Sequence, residues 1–208
     1  MLLGAVFGRF LRDLWDEAFL ILLMGIVGGL LGMTVVLIPL VLMAHATLAW
    51  RIVNGYAVSW RDWVKGARQH WLFGYTWAFI VLAVIMVLLV NWQFYAIRDA
   101  AWARLMQGVI VGAFFVALAV LPMAPLFYVI NQTHRLAWRN SVLLGIRAMG
   151  SMLLLWLFVG LVSLVVYLFV PPFIAIAPLL FFLAGGHMIR AVLDAQENAS
   201  ATDTTRTP

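Results

Sequence analysis

Residues Trp71–Ile97 read WLFGYTWAFIVLAVIMVLLVNWQFYAI, with no Asp, Glu, Lys or Arg among them. A helix that crosses a bilayer needs about 20 mostly apolar residues. A membrane barrel strand would instead show about ten residues of alternating polarity. This run is too long and too continuous for a strand, so it reads as a transmembrane helix. Three other stretches share the property: Phe19–Trp50, Leu105–His134 and Ala148–Ile189. The last is long enough for two spans, and Pro171-Pro172 divides it, because a proline nitrogen supplies no helical hydrogen bond.

The whole composition agrees. Of 208 residues, 66% are hydrophobic and 10% charged, with a mean hydropathy of +1.06. Soluble domains carry about 25% charged residues, and a chain this short has too little interior to hide the apolar excess from water. Lipid must solvate it. The fold class is therefore all-α, a polytopic membrane helix bundle of about five transmembrane helices with short amphipathic interfacial helices. A single domain is expected over 1–197. It comprises an amphipathic helix at 5–17 and spans at about 18–44, 72–95, 106–130, 149–170 and 173–190. A disordered cytoplasmic tail is expected at 198–208, where residues are small and polar.

The first span is long for the membrane. One reading bends a single helix at Pro39; the other makes the segment after Pro39 re-entrant. Pro122 and Pro125 mark a second helix bend in the third span. Gly25, Gly28, Gly29 and Gly32 form two overlapping GxxxG spacings, which let a neighbouring backbone approach. Packing inside the bundle is the first reading of that face and dimerisation the second.

Net charge is +5. The basic residues lie between apolar runs, so membrane orientation explains them better than nucleic-acid binding, which is not expected. Five spans place Arg51, Arg61, Lys65, Arg68, Arg135, Arg139, Arg147, Arg190 and Arg206 on one side. Arg9, Arg12, Arg98 and Arg104 fall on the other, which predicts N-out, C-in. The loop after span one carries Trp60, Trp63 and Trp71 at helical spacing, with Arg61, Lys65 and Arg68 on another side. Such a helix is expected at the headgroup boundary, rings in the interface and cations toward phosphates. It serves either as an anchor or as a docking surface.

Cysteine is absent, which excludes thiolate chemistry and disulfides. The spans hold no carboxylate, Ser151 and Ser163 stand without a base, and no Gly-rich phosphate loop occurs. The reading is non-enzymatic, with no catalytic residues, metal or cofactor. His45 and His187, near the inner ends of spans one and five, are the candidate intramembrane polar site. Interhelical hydrogen bonding is their ordinary role and a proton-linked function the sharper one.

A weak internal repeat adds a second functional reading. Leu48-Ala49-Trp50-Arg51 recurs as Leu136-Ala137-Trp138-Arg139, and Gly66-Ala67-Arg68 as Gly145-Ile146-Arg147. Two parallel span–loop–span units would suit a small transporter or channel.

With these features in place, the chain resembles the YesL-like family of bacterial integral membrane proteins (domain of unknown function 624). The likeness runs from about Phe7 to Ala195. It rests on Phe7-Gly8-Arg9-Phe10, the glycine-containing first span, Ile38-Pro39 followed by Ala44, Ala46-Thr47 and Ala49, then Trp50-Arg51, Asn54-Gly55 and the segment Trp60 to Tyr75. Pro39 is followed here by Leu40-Val41-Leu42-Met43, where the family often has Pro-Ala-Thr-Ala. The resemblance implies a bacterial plasma-membrane location and no known activity. It also implies an accessory role beside a carbohydrate ABC importer or glycan-utilisation system, with membrane lipids and such an importer as partners.

Overall fold

The computed structural model describes the backbone of residues 2–169 and 175–204. Pro171 and Pro172 lie outside the described residues. The helices are α1 (Leu2–Asp16), α2 (Ala18–Gly32), α3 (Ile38–Val53), α4 (Trp60–Gln69), α5 (Trp71–Ala96) and α6 (Ala101–Val120). A 3-10 turn, Leu121–Met123, leads to α7 (Ala124–Asn131), α8 (His134–Arg147), α9 (Met149–Phe169) and α10 (Ala177–Thr204). No strand occurs among the described residues. The molecule is an all-helical, membrane-embedded, multi-pass protein. Trp71–Ala96, Ala101–Asn131 and Ala177–Ala195 are each long and apolar enough to cross a membrane, with mean hydropathies of 2.5, 2.4 and 1.3.

The expected first span, 18–44, is not one helix bent at Pro39. The break falls earlier, at 33–37, and Pro39 stands in the first turn of α3, where its missing N–H has no intrahelical partner to lose. The turn uses Val35 at φ +46, a left-handed conformation rare for a β-branched residue. Beyond it α3 runs back along α2: a Cβ at Gly28 would lie 2.7 Å from the His45 ring. Each arm is 15 or 16 residues long, about 22–24 Å, short of the hydrocarbon thickness of about 30 Å. The hairpin also starts and ends on one side. Residues just before it touch the C-terminal part of α10 (Arg9 to Asp194, 3.2 Å). Its own exit does so too, through Arg190 and Asn54 at 3.5 Å.

That ion pair puts Arg9 and Asp194 on one side of the molecule, whereas five crossings with N-out, C-in would separate them. Five crossings would put Arg9 and Asp194 on opposite faces of the membrane, and charged groups 3.2 Å apart cannot be separated by a hydrocarbon layer. A hairpin at 18–53 adds no crossing, which keeps the two groups on one side. The backbone of α10 is also helical through Thr204, into the stretch expected to be a disordered tail.

The result is two tiers. One is polar: α1, α4, α8 and the last part of α10 pack around a core from α3, α7 and α10. Met43, Ala44, Leu48, Met123, Leu126 and Leu183 are wholly buried there. The α1–α2 and α8–α9 junctions turn through 82° and 91°, so α1 and α8 lie across the ends of the helices that follow them. The other tier, α5, α6 and α9, is apolar on its outside. Phe79, Leu82, Met86 and Val90 on α5 are exposed at helical spacing, as are Leu154, Leu157, Leu161, Leu164 and Leu168 on α9. Such stripes face lipid, since no water-soluble surface sustains them.

Candidate functional site

The proline-containing span has an irregular backbone. A proline at position i removes the α-helical donor to the carbonyl at i−4, which leaves Leu118 without one for Pro122 and deprives Leu121 of its i+4 partner for Pro125. Each carbonyl is met from another helix. The Trp156 indole N–H of α9 donates to Leu118 O at 2.8 Å, and the Trp77 indole of α5 donates to Leu121 O at 2.8 Å. The backbone N–H of Ala124 closes the 3-10 turn on Leu121, so Val120 O also loses its helical donor. The buried Ser141 hydroxyl of α8 donates to it. Pro122 and Pro125 thus create a break pinned by three neighbouring helices.

Against this break lies a cavity of about 500 Å³, walled by α5, α6, α9 and the start of α10. Its lining is almost entirely hydrocarbon and aromatic, with no charged side chain. Trp77 and Trp156 form its floor. Ser163 Oγ, on the α9 wall, is buried and has no hydrogen-bond partner. No sequence feature pointed to this cavity. The nearest signal was a tryptophan inside each of two spans, six residues into α5 and seven into α9.

The histidines take separate partners. His45 is fully buried, and its Nδ1 accepts from the Trp63 indole N–H at 3.1 Å. Because Nδ1 accepts, the neutral ring carries its proton on Nε2, which abuts Gly28 and is unpartnered. His187 Nε2 lies 3.1 Å from Asp13 Oδ2 of α1. Gly186 is against Val53, eight residues beyond His45 on the same helix, or about 12 Å along its axis. Neither ring lines the large cavity. The structure therefore gives His45 and His187 distinct packing environments.

The basic-aromatic loop is corrected in part. Arg61, Lys65 and Arg68 are exposed, as are Trp60 and Trp71, but Trp63 is buried against α3. The apolar face of α4 meets a protein helix instead of headgroups, because α3 returns beneath it. A Cβ at Gly66 would sit 2.6 Å from the Thr47 hydroxyl. Ser59 caps the helix in a reciprocal box with Asp62. The Ser59 hydroxyl donates to that carboxylate at 2.8 Å and, with Arg51 nearby, holds its pKa below the usual value. His70, at the α4–α5 junction, is buried edge-on to Tyr128, and burial lowers its pKa.

Of the span-one glycines, Gly25 packs on Ile176, Gly29 on Ala175 and Gly28 on His45 and Val41. These approaches lie within the chain. Gly32 meets only Ile38 at 3.9 Å, a distance that leaves room for a Cβ.

No protein-family model, curated protein or solved structure matches the chain. The likeness to the YesL-like family therefore rests on the residues quoted above.

Proposed function

We propose that this chain is a bacterial plasma-membrane protein that acts by binding, with no catalysis of its own. Its polar tier would face the cytoplasm and dock phosphate headgroups and a membrane-protein partner. The observation that carries the reading is the segregation of charge. Arg9, Arg12, Arg51, Arg61, Lys65, Arg68, Arg135, Arg139, Arg147 and Arg190 gather on the polar tier. Arg98 and Arg104 alone among the described basic residues belong to the far α5–α6 turn. Basic residues favour the cytoplasmic side, so both described ends of the chain would be inside. The family likeness makes a carbohydrate ABC importer the partner to test first.

The cavity wall counts against conduction of ions or sugars. A polar solute would shed its hydration there and gain no hydrogen bonds in exchange. A small transporter or channel is therefore the weaker alternative.

The chain has no cysteine, so single cysteines report topology without background. Asp99→Cys should react with a membrane-impermeant maleimide on intact spheroplasts, and Arg68→Cys only after permeabilisation. The reverse pattern would overturn the orientation. For the partner, mild-detergent pull-down should co-purify importer subunits; a lone monomer in every condition overturns that part.

A further inference from the structure

We infer that the cavity between α5, α6, α9 and α10 is a binding site for one acyl chain of a membrane lipid. Size is the first ground. A cavity of about 150 Å³ lined by aliphatic and aromatic groups stays dry and takes benzene; this one is about 500 Å³. That falls in the range of real ligand sites, about 300–1,000 Å³.

Shape is the second. Along α5 the wall runs from Trp77 to Leu88, eleven residues or about 16 Å. Half of a hydrocarbon core about 30 Å thick is about 15 Å. Six residues of α5 precede Trp77 and eight follow Leu88, so the cavity lies midway along that helix and is about as long as one acyl chain.

Continuity is the third. Ile85 and Phe114 line the cavity and are also part of the exposed apolar surface. A chain can therefore enter sideways from the bilayer without crossing a polar barrier. The unpartnered Ser163 hydroxyl sits in the wall. A saturated chain leaves it unsatisfied, which is a cost that removal of the hydroxyl relieves.

The test is photolabelling in nanodiscs of phosphatidylglycerol and phosphatidylcholine doped with a phospholipid whose saturated acyl chain carries a mid-chain diazirine. Labelled peptides are mapped by mass spectrometry. Lipids that merely surround the protein mark the outer stripe, Phe79, Leu82, Leu157 and Leu164. Cavity occupancy adds Val84 and Val159. A Cβ at Gly160, which lines the cavity, meets no atom within 4 Å. Gly160→Phe should therefore fold and fill the site, lowering the Val84 and Val159 labels by roughly tenfold while the outer stripe is unchanged. Gly112→Phe, equally unobstructed and away from the lining, should change neither. Ser163→Ala should keep or raise the cavity labels.

Labels confined to the outer stripe overturn the site, as do cavity labels insensitive to Gly160→Phe. Loss of the labels in Ser163→Ala would mean a ligand with a polar group at that depth, which overturns the acyl-chain assignment. Crosslinking between two copies through the cavity walls would make it a self-association face and overturn it as well.

Discussion

The Trp156 indole N–H donates to the Leu118 carbonyl oxygen at 2.8 Å, the one carbonyl that Pro122 leaves without a helical donor. In a bilayer an unsatisfied peptide group has no water to turn to, so a proline inside a span needs a donor from elsewhere. Two tryptophans and a serine supply it here, and they tie α5, α8 and α9 to one turn of backbone.

The relationship predicts a specific coupling. Trp156→Phe removes the donor and keeps most of the ring, so it should cost about 1–3 kcal/mol, the penalty of a buried group left unpaired. Pro122→Ala restores a backbone N–H that can reach Leu118. In a double-mutant cycle followed by circular dichroism on heating in detergent, the Trp156→Phe loss should shrink by about 1 kcal/mol when Pro122→Ala is present. Strict additivity would mean that the indole bond does not answer the proline. Trp77→Phe with Pro125→Ala should show a smaller coupling, because the Ala124 N–H already donates to Leu121 O.

Glycines differ in what surrounds them. A Cβ at Gly145 would lie 2.6 Å from Val120 Cγ2 and 3.2 Å from Ala119 O, whereas one at Gly108 meets nothing within 4 Å. Gly145→Ala should force α8 away from the proline break and lower the melting temperature. It should be worse than Gly108→Ala, for which the helix propensity gain of up to about 1 kcal/mol is unopposed. Equal effects would contradict the packing described.

Much of the fold was readable because lipid imposes a simple rule. The uncharged run 71–97 became α5, Trp71–Ala96, almost to the residue, and α9 follows the fourth expected span. Direction was not readable. The turn at 33–37 lies in an uninterrupted apolar run, holds neither glycine nor proline, and puts Val35 at positive φ. Hydropathy cannot tell a hairpin from a bent span. Trp63 was misplaced because the apolar face of an amphipathic helix looks the same toward headgroups as toward α3. Gly66, on the same face, was the available clue to close helix packing. The repeated Leu-Ala-Trp-Arg falls late in α3 in one copy and early in α8 in the other, so the copies do not occupy equivalent positions. The two Gly-x-Arg sites are more alike: Gly66 and Gly145 each lie late in their helix and pack closely on an earlier one, Gly66 on Thr47 of α3 and Gly145 on Ala119 and Val120 at the end of α6. Tetrapeptide identity was the weaker signal, because backbone approach constrains glycine more tightly than surface position constrains Trp-Arg.

His70 gives a pH dependence. Burial lowers its folded pKa below the unfolded value, which is about 6.5. The unfolded chain therefore binds more protons below that pH, and stability rises with pH in this window. The contribution is fully present above about pH 6.5 and is lost as pH falls toward the folded pKa. Tyr128 and His134 face the ring directly or through one neighbour. The melting temperature in detergent should drop between pH 7.5 and 5.5 by more in the wild type than in His70→Asn. An identical slope in both would remove His70 from the account.

The Arg9–Asp194 pair is exposed, so its energy is small: about 0–1 kcal/mol is usual for such pairs, and Arg9→Ala should barely move the melting temperature. Its geometric meaning is larger than its energy. Arg9→Cys combined with Asp194→Cys, in a chain with no other thiol, should be bridged by a short bis-maleimide in native membranes and give a single crosslinked monomer by mass. Asp99→Cys with Asp194→Cys should not. Asp99 follows the 26-residue α5, about 39 Å from that helix's start, at the opposite end of the molecule. A helical hairpin at 18–53 predicts the first crosslink, and a five-crossing chain forbids it. Absence of a bridge in the Arg9→Cys, Asp194→Cys double variant, with each single thiol still reactive, would restore the bent span and separate the two ends of the chain again.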